Sequence, residues 1–459
     1  MNLEMEWAEK SWTDPDTGTR VVRISPDKKA HFRNNYFRHN MFTADGRWAV
    51  FIEFEDLADG QPRGLGRVWA RDLLTGELRE LVEIPVPSAP LMQFAVAPRS
   101  HLVNVIDVSQ AGEPAVLQID IDSGARRRVE PSVALGRIYQ ATFSADERWV
   151  YTMWQKEKGH LQDSMSFTDW RAMMSARPGY QEMVRIDLAT GRVETVFSAT
   201  SWCIGHPNPH PSDPDLLMCC QELAGERPDS KWGAAAEHER IRVMDLRTKS
   251  WLDTRRTGPV LCGHEHWARR GRRIYAHTRA VGRHAINRID LDAGENLLFP
   301  CPVDLGWSAH VTVAPDESFL VGDGANFDRH TLPPEIRRVF ERELARRDDY
   351  DVLWFRGDLE RSNGGETIWK YELPEESSWD YDLWERDREK LEARIAAHPE
   401  MSVRTTPVCR FRTLARGPMM CHRLESNAHV TPDSRWAVFQ SSSEDDWFEV
   451  WAARVPAAE

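Results

Sequence analysis

The chain reads as all-β, a seven-bladed β-propeller. Two observations carry that fold class: a turn-and-strand unit recurs seven times along the 459 residues, and a hairpin-like unit alternates with it. The first unit is a turn containing Asp or Gly, a basic or polar residue, and an alternating apolar strand. It occurs as FTADGRWAVF from Phe42, FAVAPRSHLVNV from Phe94, FSADERWVYT from Phe143 and HPSDPDLLMCC from His210. It returns as HWARRGRRIYA from His266, HVTVAPDESFLVG from His310 and HVTPDSRWAVF from His429. The second unit is a strand, an Asp, a turn and a returning strand, as in VWARDLLTGELREL from Val68, VLQIDIDSGARRRV from Val116 and MVRIDLATGRVETVF from Met183. IRVMDLRTKSW from Ile241 and INRIDLDAGENLLF from Ile286 continue it. The turn needs a residue that tolerates positive φ, which Gly supplies. Two hairpins per repeat make a four-stranded blade, and seven blades closed on themselves leave no open sheet edge.

The elements then follow in order. A strand near Arg20 to Ile24 is expected to close the last blade, which ends at FEVWAARVP. A short helix is expected in FTDWRAMMSARPGY from Phe167. A larger break, a charged helical insertion over 328–401, falls in the sixth to seventh blade region. There LPPEIRRVFERELARRDD and SWDYDLWERDREKLEARIAAHPE read as amphipathic helices, the first with Pro at its start, flanking the strand-like VLWF and IWKYEL. Apart from that insertion, residues 1–459 are read as one propeller.

Composition removes several function classes. A formal net charge of -13 argues against a nucleic-acid partner, because phosphate binding needs a basic stripe. No apolar run approaches the roughly 18 residues a membrane helix needs, so no membrane span is expected. The N-terminus, MNLEMEWAEKSW, has neither a basic leader nor an apolar core, and the expected compartment is the cytoplasm. The seven cysteines form no CxxC pair, which favours reduced thiols over a cysteine zinc site. A minority of the 19 Trp lining a cleft would suit stacking on sugar rings.

In a propeller the ligand site is expected where segments leading into the inner strands converge at one face. The residues just before the repeated units are His31, Asn35, Tyr36 and His39 in the first copy, and Gly205 and His206 in the fourth. His264 and His266 occupy the fifth, His310 the sixth, and Asn427 and His429 the seventh. Strand alternation sets His266 on the same side of the chain as His264. Neutral imidazoles suit a divalent cation such as Mn or Zn, and a further His suits a general base near neutral pH. A base, a cation and an arginine together suit proton abstraction α to a carboxylate, as in β-elimination from a uronic acid, because the carboxylate must be neutralised as the enolate-like anion forms.

Four strings then resemble one family, the oligogalacturonate lyases. HFRNNYFRHNMFTADGRWAVF from His31 is similar to that family's first-blade signature, and WCIGHPNPHPSDPDLLMCCQE from Trp202 resembles its Trp-Leu-Gly-His-Pro blade. CGHEHW resembles its Thr-His-Glu-Phe-Trp, and SAHVTVAPDESFLVGDG from Ser308 looks like its Ser-His segment ending in Val-Gly-Asp-Gly. The resemblance implies that His264 is the catalytic base, that Arg240 faces the substrate carboxylate, and that His310 is a metal ligand. Where the family has Gln-x-x-His-Pro-His, this chain has LESNAHVTPD, two residues shorter, with His429 retained and Asn427 or Glu425 as oxygen ligands. What it implies overall is a divergent lyase on short uronic-acid oligosaccharides, with manganese as the divalent metal, a small acidic oligosaccharide as partner and a monomeric or homodimeric state. His206, His31, Tyr36 and Asn35 would bind substrate. The alternative is a non-catalytic propeller that binds a sugar or a protein.

Overall fold

The computed structural model describes residues 3–58, 61–85, 94–107, 114–135, 138–155, 181–199, 203–222, 240–254, 261–280, 283–301, 308–324, 367–375, 388–410, 426–442 and 447–457. Their strands pair antiparallel into seven sheets, six of four strands and one of five. That is the strand complement of a seven-bladed β-propeller, as the repeats predict. The chain divides into two compact units, one of residue 1, 38–227 and 239–254, the other of 2–37, 228–238 and 255–459.

The first unit contains the second, third and fourth blades over 94–129, 138–198 and 203–252, together with three strands, Trp48–Ala58, Gln61–Asp72 and Leu78–Pro85. Period-two alternation is visible in Trp48, Val50, Ile52 and Phe54, all buried in one apolar cluster with Val68 and Ala70. Val116, Phe143, Val150 and Ile186 form the next cluster, between the second and third blades. Burying each such side chain contributes roughly 1.5–3 kcal/mol.

The recurring turn has a local chemical cause. Thr43 Oγ1 donates to Asp45 Oδ1 at 2.7 Å and accepts from the Trp48 backbone N–H at 3.0 Å. Arg47 lies over the Trp48 ring, 5.3 Å from its centroid, and donates through Nε to Asp72 Oδ2 at 2.7 Å. The third blade repeats this with Ser144, Asp146, Arg148, Trp149 and Asp187. Asp72 in turn accepts from the N–H groups of Leu74 and Thr75, which shapes the second hairpin, where Gly76 takes φ 78°. One residue pair thus ties the two hairpin units of a blade together.

The second unit contains the fifth blade, the sixth blade and the five-stranded sheet. In that sheet Arg20–Arg23 pairs with Phe448–Arg454, with Val21 opposite Ala453, so the N-terminal strand closes the last blade as expected. Ser11–Thr13, an exposed strand the pattern does not signal, adds to its outer edge. Arg23 Nη1 and Glu449 Oε1, both buried, pair across the junction at 2.8 Å.

The 328–401 insertion is described only in part. Within 328–401, Thr367–Glu372 is a blade strand, paired with Leu320–Gly324 on one side and Arg404–Arg410 on the other, so IWKYEL belongs to the sixth blade. Helical structure among the described residues there is limited to Arg388–Ala397 and a single 3-10 turn, Pro399–Met401. The segments 328–366 and 376–387, and the helix expected from Phe167, lie outside the described residues. No helix among the described residues is long and apolar enough to cross a membrane.

Candidate active site

A β-bulge in the first strand of a blade positions the candidate residues. In the fifth blade Gly263 opposes His277 and His266 opposes Tyr275, so His264 and Glu265 share Ala276 as their one partner. In the sixth, Ala309 and His310 share Asp323 in the same way. In the seventh, the Gln440 N–H reaches the Ser426 carbonyl and His429 opposes Val438, which leaves Asn427 and Ala428 as the bulged pair. The fourth blade repeats the device with His206 and Pro207 between Gly205 and Asn208. His206, His264 and Asn427 occupy the same first bulge position and adopt left-handed backbone, with φ of 48°, 54° and 47°. Holding a non-glycine residue there costs on the order of 1 kcal/mol, and such strain collects at functional sites.

The bulge also corrects one expectation. It interrupts the period of two between His264 and His266, so alternation does not set them on the same side.

Within the second unit the bulges bring several predicted residues together. The His264 and His310 rings lie 4.4 Å apart. Phe37 packs edge-on to His264 at 5.7 Å and tilted on His310 at 4.7 Å, and Tyr36 meets His310 at 5.6 Å. His264 is half-buried; His310 is fully buried. Segment 34–37 is held against the seventh blade. Asn34 Nδ2 donates to the carbonyls of Ser426 and Asn427, the Phe37 N–H donates to Asn427 Oδ1 at 3.4 Å, and His429 Nε2 donates to the Asn35 carbonyl at 2.9 Å. His31 sits against Trp447, ring centroids 4.6 Å apart, and accepts the Phe448 N–H.

Electrostatics define the tautomers. Asp323 is fully buried and accepts from His310 Nδ1 at 3.0 Å, the His310 backbone N–H at 2.9 Å, Ser426 Oγ at 3.0 Å and the Asn427 N–H at 3.1 Å. Burial pushes its carboxyl up, but His310 and the other donors outweigh that and hold it below the ordinary range. Asp323 is therefore ionised, and His310 carries a proton on Nδ1, the nitrogen that faces it. Burial pushes His429 down to about 4, opposed by the Asn35 carbonyl and reinforced by His310, so it is a neutral imidazole with its lone pair on Nδ1.

Of the remaining candidate residues, Glu425 lies outside the described residues. Among the described residues no group of three or more His, Cys, Asp or Glu side chains could hold a metal ion. His206 and Arg240 belong to the first unit, in the fourth blade, where the Arg240 guanidinium donates to Cys220 Sγ at 3.6 Å. Sequence reasoning gave no role beside His310 to Asp323 and passed over Phe37, Ser426 and Cys220. The one signal it could have used is the small residue before each bulge: Gly205, Gly263, Ser308 and Ser426.

These features define a propeller with a site of histidines set on strained bulges. No protein-family model matches the chain. An oligogalacturonate lyase of Dickeya dadantii (strain 3937) is 23% identical over 336 residues, covering 69% of this chain and 75% of that enzyme. An oligogalacturonate lyase structure from Vibrio parahaemolyticus matches with a TM-score of 0.66 at 14% identity, over 97% of this chain and 96% of that one. A structure of an oligogalacturonate lyase in complex with manganese matches with a TM-score of 0.65 at 16% identity over the same shares. The chain is similar to the oligogalacturonate lyases at low identity, and its likeness to the solved structures is one of fold.

Proposed function

We propose that this protein is a lyase that cleaves short uronic-acid oligosaccharides, oligogalacturonate-like, by β-elimination. The observation that carries the reading is His264, half-buried and held in left-handed backbone beside the His310–Asp323 pair, in a chain similar to an oligogalacturonate lyase. His264 takes the C5 proton of the uronate. The C5–H electron pair forms the C4–C5 double bond as the C4–O bond breaks, and the leaving oxygen takes a proton. Arg240 neutralises the substrate carboxylate, a role that rests on the resemblance. Tyr36, Asn35, His31 and His206 are the proposed sugar contacts, of which Tyr36 is packed on His310 and Asn35 is tied to His429.

The imidazole tautomers suit a borderline divalent cation. His310 through Nε2 and His429 through Nδ1 would hold it, with Asn427 and Glu425 as oxygen donors, and when bound it would supply positive charge against the developing enolate. The protein's own residues hold the two rings, exclude water with Phe37 and move the proton.

The test is incubation of the purified protein with digalacturonate, following ultraviolet absorbance of the unsaturated product, with and without manganese. Wild type should turn over and His264→Ala should lose on the order of 100-fold or more. No turnover on any uronate oligosaccharide sinks the reading. Unchanged sugar affinity in His264→Ala, with no turnover in wild type, would instead favour a non-catalytic binder.

A further inference from the structure

The turn after the fifth-blade strand Leu261–Trp267 keeps the backbone of its counterparts and reverses their charge. Its Ala268 N–H donates to the Arg273 carbonyl at 2.9 Å, as the N–H of Thr43 does to Trp48, of Ala314 to Phe319 and of Thr431 to Trp436. Gly271 takes φ 66° where Gly46, Glu317 and Ser434 take 74°, 61° and 60°. In those counterparts the third turn residue is an aspartate. Asp45, Asp146, Asp316 and Asp433 accept the N–H two residues on, at 3.0, 3.2, 3.1 and 3.2 Å. The fifth blade has Arg270 in that place. The residue before it is Ala44, Pro98, Ala145, Pro211, Pro315 or Pro432 in the other turns, and Arg269 here.

The exchange removes an acceptor and adds two cations at one point. The Arg272 N–H has no aspartate to meet at position 270, and Arg272 Nε is buried with no hydrogen-bond partner among the described residues. Arg272 Nη1 pairs with Asp292 at 3.2 Å and Arg273 Nη2 with Glu317 at 3.0 Å. Arg269 and Arg270 have no acceptor or ion-pair partner among the described residues. Arg270 is exposed, but Arg269 is half-buried, and burial alone holds its guanidinium below the ordinary arginine value. A desolvated cation without a counter-charge is costly, and an anion bound at the turn would offset that cost. In a chain of net charge -13, two adjacent uncompensated arginines are a local feature of this turn.

We infer that the fifth-blade turn is an anion site, separate from the histidine cluster, and that its ligand is a phosphate group. One ligand oxygen takes the place of the aspartate Oδ1 and accepts the Arg272 N–H, while Arg269 and Arg270 meet the others. Two uncompensated positive charges match a phosphate group, which approaches two negative charges at neutral pH and offers oxygens in tetrahedral directions. A carboxylate has one charge and two oxygens in one plane. The turn lies past the end of the strand that carries His264, so the site does not depend on the lyase reading.

The experiment is calorimetric titration of inorganic phosphate, methyl phosphate and acetate into wild type, Arg269→Gln, Arg270→Asp and Arg247→Gln at matched ionic strength, with thermal melts on each. Wild type should bind phosphate on the order of tenfold more tightly than acetate, and Arg269→Gln should lose about tenfold in phosphate affinity. Arg270→Asp returns the turn's own acceptor, so it should lose phosphate binding and melt higher than wild type in phosphate-free buffer. Arg247→Gln removes an exposed arginine from the fourth blade and should bind phosphate as wild type does. Methyl phosphate held as tightly as phosphate identifies the ligand as a phosphomonoester, and its exclusion identifies the free ion; both support the site. Should Arg270→Asp fail to fold, Arg269→Gln and Arg270→Gln decide. Phosphate bound no more tightly than acetate, or folded Arg269 and Arg270 variants that bind it as wild type does, overturns the proposal. An equal loss in Arg247→Gln also overturns it, because the attraction would then be one of general charge.

Discussion

Asp323 accepts from both the Nδ1–H and the backbone N–H of His310, and both residues are fully buried. The carboxylate also takes Ser426 Oγ–H and the Asn427 N–H, so one ion joins the first strands of the sixth and seventh blades and sets the His310 ring. Four donors point at it. Asp323→Asn keeps the shape but turns an NH2 group toward donors, so it should cost about 3–5 kcal/mol in urea unfolding, the range for a broken buried ionic contact. Turnover on digalacturonate should also fall, on the order of 10- to 100-fold, because the His310 tautomer is no longer imposed. Turnover and stability equal to wild type would remove Asp323 from this role.

His310 and His429 lead to a metal-binding prediction. Protein stripped with a chelator and titrated with manganese in a calorimeter should take up the ion. His310→Ala should weaken that binding by more than His429→Ala, since only the His310 ring is backed by a carboxylate. Equal affinities in all three proteins would take both histidines out of the ligand set.

The blades were legible because their signals are local. Thr43, Asp45, Arg47 and Trp48 contact one another within six residues, and the same chemistry returns at Ser144 and Thr431. Arg20 to Ile24 was legible for a similar reason, as an alternating strand at the right end of the chain. The bulges were not, because a bulge exists only relative to the partner strand, and nothing in GHEHW states that His264 and Glu265 share Ala276. Asp323 was missed as the partner of His310 because that contact spans 13 positions through strand pairing. IWKYEL was legible as a strand within the charged segment, but its place in the sixth blade was not, because its partners Leu320–Gly324 and Arg404–Arg410 lie far from it on either side in sequence.

Asp72 makes the acid stability of the first unit testable. Burial raises its carboxyl, but Arg47 and the Thr75 and Leu74 N–H groups outweigh this and hold it below the ordinary value of 3.8. A depressed carboxyl stabilises the fold above its unfolded value, and the contribution is lost as pH falls through the folded value. Asp72→Asn should therefore be less stable than wild type at neutral pH by about 1–2 kcal/mol. The two unfolding curves should converge below pH 3.8. A constant gap across the acid range would assign the loss to packing instead.

Gly191 and Gly124 occupy equivalent hairpin turns with nearly equal φ, 73° and 71°, yet they should respond differently to the same substitution. A Cβ at Gly124 meets nothing within 4 Å, so Gly124→Ala carries only the left-handed backbone penalty, about 1 kcal/mol. At Gly191 the Cβ would lie 2.0 Å from the Glu130 carbonyl oxygen and 3.1 Å from its carbon, backbone atoms that cannot rotate aside. The Gly191 carbonyl meanwhile accepts the Ser132 N–H at 2.7 Å, so retreat of either segment breaks a hydrogen bond between the second blade and the third. Gly191→Ala should add an overpacking cost of about 1–3 kcal/mol to the backbone penalty. Denaturant melts of the two variants read the difference directly, and equal midpoints would mean that the 130–132 segment yields without cost.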